Sequence, residues 1–198
     1  MQLSDDLDYR HLLWCRWASG PTITWIMFNP SDADIGDNED EIIPDPTIDQ
    51  IIHFSKHHEP TPFGGLQVVN LYAWRDSCKA CTLLREDPIG EGDSVLKETI
   101  HSAETIAIAW GELGTWKQPQ KELNAREIAR ESTVLDYLHD RPRLALCTVG
   151  NGRFPGHPMY KSRALRLVDW EHALPYGAAK SKIFRRASEG ETTPTTVG

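Results

Sequence analysis

The chain has 198 residues, 39% of them hydrophobic, and a formal net charge of −8. That length supports one sizeable core and leaves room for one domain or at most two small ones. The acidic balance excludes a general polyanion binder, no apolar run approaches the ~20 residues that span a bilayer, and residues 1–8 lack the basic flank and apolar stretch of a signal peptide.

A cytoplasmic location follows as an expectation, with the four cysteines as reduced thiols. The charge is uneven. Residues 1–140 carry 11 basic and 25 acidic side chains, and residues 141–198 carry 10 and 4. A local basic face in the last third is therefore compatible with an acidic whole.

In chain order, the aromatic and apolar run 9–17, the turn Ser19-Gly20-Pro21 and the strand run 22–28 read as a hairpin, with the first strand at a sheet edge. A long acidic loop covers 31–45. A helix is predicted over 47–57, its apolar face set by Ile48, Ile51, Ile52 and Phe54. Asp45-Pro46-Thr47 supplies a capping oxygen and a proline in the first turn. Residues 66–71 form a second buried strand, entered by Gly64-Gly65. A helix over 94–102 and a third strand over 105–110 follow, the strand stopped by Gly111. Helical periodicity returns over 120–139, and a fourth strand covers 144–149. The polar tail 188–198 is expected to be disordered, which leaves 1–187 as a single domain.

Four apolar strands separated by helices predict a three-layer α/β/α fold. Its central sheet is mainly parallel and four-stranded, with an N-terminal edge strand added. Ligands of such sheets bind at the carboxyl ends of the strands. The segments leaving those ends are Asn29-Pro30-Ser31, Asn70-Leu71-Tyr72, Trp110-Gly111 and the loop with His157-Pro158.

Their chemistry can be read one by one. Asn29 offers an amide that can hold a water or read a polar edge, although Asn-Pro-Ser also makes a plain turn. Asn70 ends an apolar strand and needs partners, from the backbone or from a planar amide-like edge. His157 can donate to a carbonyl oxygen or act as acid or base near neutral pH. Trp110, Tyr72, Trp74 and Phe28 read first as core rings, and their positions would also let them line a flat pocket or stack on a ligand. Asp34 and Asp45 flank the acidic loop and can supply a general base or hold Mg²⁺, but the loop fits no spaced ion-binding pattern. Cys78 and Cys81 form a CxxC with no second pair, and Cys15 and Cys147 fall in predicted strands, so no metal is expected.

Two patterns match these motifs. Ile26-Met27-Phe28-Asn29-Pro30-Ser31-Asp32-Ala33-Asp34, Asp45-Pro46-Thr47, Val68-Val69-Asn70-Leu71-Tyr72-Ala73-Trp74-Arg75, Ala109-Trp110-Gly111 and Gly156-His157-Pro158-Met159-Tyr160 resemble a bacterial and phage family, domain of unknown function 1643. That resemblance implies no activity. The order Asn29-Pro30, Asn70, Trp110-Gly111, His157-Pro158 also resembles the uracil-DNA glycosylase superfamily.

The second resemblance implies a nucleobase-recognising N-glycosidase that needs no cofactor. In it Asn29 positions the attacking water, Asn70 bonds the base edge, His157 steadies charge on the leaving base and Tyr72 stacks on the base. A base in duplex would first flip out of the stack. Lys161, Arg163 and Arg166 would contact phosphates. Asn29 stands where the uracil enzymes carry an acidic residue, and Met159 where they carry Ser. The alternatives are an enzyme on free nucleotides or nucleosides, Mg²⁺-assisted through Asp34 and Asp45, and a non-catalytic nucleobase or modified-DNA binding module.

Overall fold

The computed structural model describes residues 1–30, 34–35, 42–176 and 179. The chain builds β1 (Gln2–Leu3), β2 (Arg10–Arg16), β3 (Thr22–Met27), β4 (Asp34–Ile35), β5 (Ile42–Ile43), α1 (Pro46–Lys56), β6 (Gly65–Asn70), α2 (Lys79–Leu84) and α3 (Gly92–Ser102). It continues with β7 (Thr105–Ile108), α4 (Leu123–Tyr137), β8 (Arg143–Ala145), β9 (Thr148–Val149), β10 (Phe154–Pro155) and β11 (Val168–Asp169). The main sheet has seven strands in the order β1-β2-β6-β3-β7-β8-β11. Within it β6, β3, β7 and β8 run parallel, the four predicted strands. No described helix is long and apolar enough to cross a membrane.

Side-chain alternation gives the sheet two apolar faces. Ile23, Trp25 and Met27 of β3, with Leu66 and Val68 of β6, pack on Ile48, Ile51 and Phe54 of α1. Ile26 of β3, Val69 of β6, and Ile106 and Ile108 of β7 pack on the opposite side against Leu96 and Ile100 of α3 and Val134 of α4. The mixed α/β fold with its mostly parallel centre is as expected. Helix α1 begins as read: Asp45 accepts from Thr47 N–H at 2.7 Å and Ile48 N–H at 2.8 Å, and Pro46 opens the first turn. Trp25 Nε1 donates to Ser55 Oγ at 3.0 Å, fastening α1 to the sheet centre.

Three expectations need correction. First, β2 and β3 do not pair with each other. β6 lies between them, antiparallel to β2 and parallel to β3. Gly64 makes this possible. Trp17 and Ala18 N–H both reach its carbonyl, and a Cβ there would stand 2.5 Å from Ala18 O. Second, the fourth strand breaks. β8 ends at Ala145, and β9 pairs instead with β10 in a separate antiparallel pair. Third, the acidic loop contains a small antiparallel pair, β4 with β5. The remainder of that loop and the expected disordered tail at 188–198 lie outside the described residues.

Candidate functional site

A cavity of about 200 Å³ opens beyond the carboxyl ends of β3 and β6. Asn29, Asp45, Asn70 and His157 all line it, with Met27 and Val68 from the sheet and Thr47 and Ile48 from the start of α1. Segments more than 100 residues apart in sequence therefore converge as expected.

Asn70 is the last residue of β6 and is 6% exposed. Its amide oxygen and nitrogen are both sealed from solvent, and neither has a hydrogen-bond partner among the described residues. Buried polar atoms are nearly always paired, so an amide with both ends unpaired calls for an explanation.

Asn29 is held from one side. Its Nδ2 donates to Pro30 O at 3.2 Å and to Asp76 O. Those two bonds fix the plane of the Asn29 amide at the cavity wall. Pro30 is buried, and its carbonyl also receives Asp76 N–H at 3.3 Å.

His157 is presented by a tightly packed loop. Gly156 N–H donates to Cys147 O at 2.8 Å, and Gly111, at φ +84°, leaves room for the His157 side chain at 3.2 Å from where a Cβ would sit. Pro158 is buried behind it. Met159 N–H donates to His157 Nδ1 at 3.2 Å, so Nδ1 is the acceptor and Nε2 carries the proton. Burial, followed by the charges of Lys161 and Lys79, pushes the His157 pKa down to about 4. The ring is a neutral hydrogen-bond donor at pH 7.

Asp45 spends Oδ1 on the two N–H groups of α1, so helix capping is the role its geometry displays. Its negative charge also works against the depression of the His157 pKa. The side chain of Asp34, and all of Ser31, lie outside the described residues.

The aromatic expectations are corrected. Tyr72 and Trp110 pack in the opposite core with Phe28, away from the cavity. Tyr72 lies 5.1 Å from the Phe28 ring and donates from its hydroxyl to Arg126 O at 3.3 Å. Trp110 Nε1 donates to Glu131 at 3.2 Å. Trp74 carries the Arg85 guanidinium 3.3 Å above its ring. Gly111 acts through His157 and does not line the cavity.

The basic segment is engaged within the protein. Arg163 pairs with Asp49, Arg166 donates to the carbonyls of residues 163–165, and Lys161 Nζ sits 4.1 Å over the Tyr176 ring. Sequence reasoning passed over Arg10, Asp76 and Ser77, which also line the cavity. Arg10 is 1% exposed at the start of β2. A basic residue opening an apolar strand, and Asp76-Ser77 six residues past a strand end, were the available signals.

Cys78 and Cys81 are joined in a disulfide, which overturns the expectation of four free thiols. With Asp76 they make the one group of three described residues able to face a common metal, but the two sulfurs are bonded to each other.

The family described as protein of unknown function (DUF1643) matches residues 10–159. The chain belongs to that family. No curated protein and no solved structure matches it. The matched span covers every described residue lining the cavity, from Arg10 to Met159.

Proposed function

We propose that this family member recognises a planar nucleobase in the Asn29–Asn70–His157 cavity and cleaves its N-glycosidic bond. The observation that carries the reading is the sealed, unpartnered amide of Asn70 on a cavity shared with a neutral, proton-donating histidine. A lactam edge offers one N–H and one C=O side by side, the complement of a carboxamide. Because both Asn70 atoms are closed off, the wall must open around the ligand as it enters, and pairing with the base offsets the cost of an unsatisfied amide. A cavity of about 200 Å³ suits one small heterocycle and not a whole nucleotide.

The chemistry follows from the protonation states. As the glycosidic bond breaks, negative charge grows on a carbonyl oxygen of the departing base. His157 Nε2–H donates to that oxygen without needing a second proton, and being neutral it does not over-stabilise the ground state. Loss of one such donor typically costs about 10²–10³ in rate. Asn29 Oδ1 orients a water toward the sugar carbon. The order of these motifs on the strands is similar to the uracil-DNA glycosylase superfamily, which supports the same assignment.

Free nucleosides are the second reading. The internal engagement of Arg163 and Arg166 favours it, since it withdraws two of the three residues expected to hold phosphates.

The test is a mass-spectrometric search for bases released from DNAs of varied composition and from single nucleosides. Free base is expected, with loss of release in Asn29→Ala and His157→Ala. Absence of release from every DNA and nucleoside, with no thermal shift by any base, overturns the proposal. A thermal shift with intact substrate transfers the assignment to a binding module.

A further inference from the structure

We propose that Cys78 and Cys81 form a reversible dithiol–disulfide site that sets how firmly Asn29 is held. The two are bonded in the structure, with Cys81 exposed and Cys78 half-buried. The remaining two cysteines are of another kind. Burial pushes the Cys15 thiol up to about 11 and raises Cys147, which is fully buried. The ring that the pair closes is among the shortest, and short loops contribute least to stability through chain entropy. Exposure and a short ring mark a bond suited to exchange rather than to stapling the fold.

The geometry supports a defined exchange. A thiolate from an external dithiol attacks the exposed Cys81 Sγ. The Cys78–Cys81 bond breaks, a mixed disulfide forms at Cys81, and Cys78 leaves as a thiolate. Cys81 N–H lies 3.2 Å from Cys78 Sγ and stabilises that leaving anion. The second thiol of the reductant then attacks the mixed disulfide and departs as a cyclic or protein disulfide. Two electrons and two protons move to the Cys78 and Cys81 thiols, and the reductant is oxidised by the same amount.

The consequence reaches the cavity through two bonds. Cys78 N–H donates to the Asp76 carboxylate at 2.7 Å, and Asp76 O accepts from Asn29 Nδ2. Asp76 and Ser77 are themselves cavity walls. Opening the disulfide frees the residue that anchors Asp76, and so loosens the clamp on Asn29. None of this depends on the nucleobase reading.

The intact oxidised protein is treated with dithiothreitol under native conditions, quenched with N-ethylmaleimide and mapped by peptide mass spectrometry. Labels are expected on both Cys78 and Cys81 and not on Cys147, with a single two-electron transition across a thiol–disulfide buffer series. On reduction, amide exchange over residues 74–78 is expected to quicken about tenfold, with Cys78→Ser/Cys81→Ser alike without reductant. The wild-type arm stands even where the double variant folds poorly. A pair that stays unlabelled until the chain is denatured, or unchanged exchange over 74–78 after full reduction, overturns the proposal.

Discussion

Replacing Asn70 by leucine should stabilise the ligand-free protein, the opposite of what removing a buried polar residue usually does. Both polar atoms of the Asn70 amide are sealed and have no partner among the described residues. Each unsatisfied group costs about 1–3 kcal/mol relative to a paired or apolar one. Leucine is of similar length but branches differently, and the repacking it forces takes back about 1 kcal/mol or more. The net expectation is a gain of about 1–3 kcal/mol. For a chain of this size a gain of 2 kcal/mol raises Tm by about 4–8 °C. Urea unfolding at pH 7, followed by tryptophan fluorescence, measures it, and an unchanged m-value shows that the unfolded reference has not shifted. A variant that loses more than about 1 kcal/mol would refute the reasoning, because Asn70 would then be making a structural bond. Gain of stability together with loss of any base-induced thermal shift is the signature of a binding residue retained at a cost to the fold.

Three other predictions concern His157, the loop that presents it and the Lys79–Glu127 ion pair. His157 stays neutral in the folded protein down to about pH 4, while the unfolded chain protonates it near 6.5. The unfolded state therefore holds more protons between those values, so stability rises with pH through the window and falls on acidification, by about 3–4 kcal/mol before solvent screening and less after it. His157→Gln should remove that slope in urea titrations at pH 4.5, 5.5 and 7, and an unchanged slope would assign it elsewhere. Gly156→Ala puts a Cβ 2.3 Å from Cys147 Sγ and should cost about 2–3 kcal/mol. Cys147→Ala in the same chain should return at least half, and strict additivity would contradict the contact. Lys79 Nζ sits 2.6 Å from Glu127, a carboxylate with no exposure, so Lys79→Met should destabilise by about 3 kcal/mol or more and Glu127→Gln added to it should rescue.

What could be read from residues alone was the part governed by local rules. The four parallel strands, the capped start of α1 and the convergence of Asn29, Asn70 and His157 all follow from apolar runs, a Pro-Thr after Asp45, and the geometry of parallel sheets. The aromatic residues went wrong because alternation was not carried across neighbouring strands. Met27 pairs with Asn70 and Ile26 with Val69 and Ile108, so Asn70 shares the α1 face while Trp110, two beyond Ile108, shares the other. Tyr72 lies past the end of β6, where the chain has left strand geometry and parity no longer holds. The partner of β2 was hidden because adjacency in sequence favours a hairpin, and only the close approach at Gly64 shows that another strand lies between. The disulfide was hidden because a CxxC spacing alone does not report its redox state.

The placement of β6 has an outcome for biosynthesis. The strand that occupies the middle of the N-terminal half emerges from the ribosome after both of its neighbours. Until residue 70 is out, β2 and β3 carry unsatisfied edges across a gap one strand wide, an arrangement open to pairing with other nascent chains. Early termination before that point should therefore yield aggregating fragments, whereas stops beyond β8 leave the inner parallel strands β6, β3 and β7 neighboured on both sides.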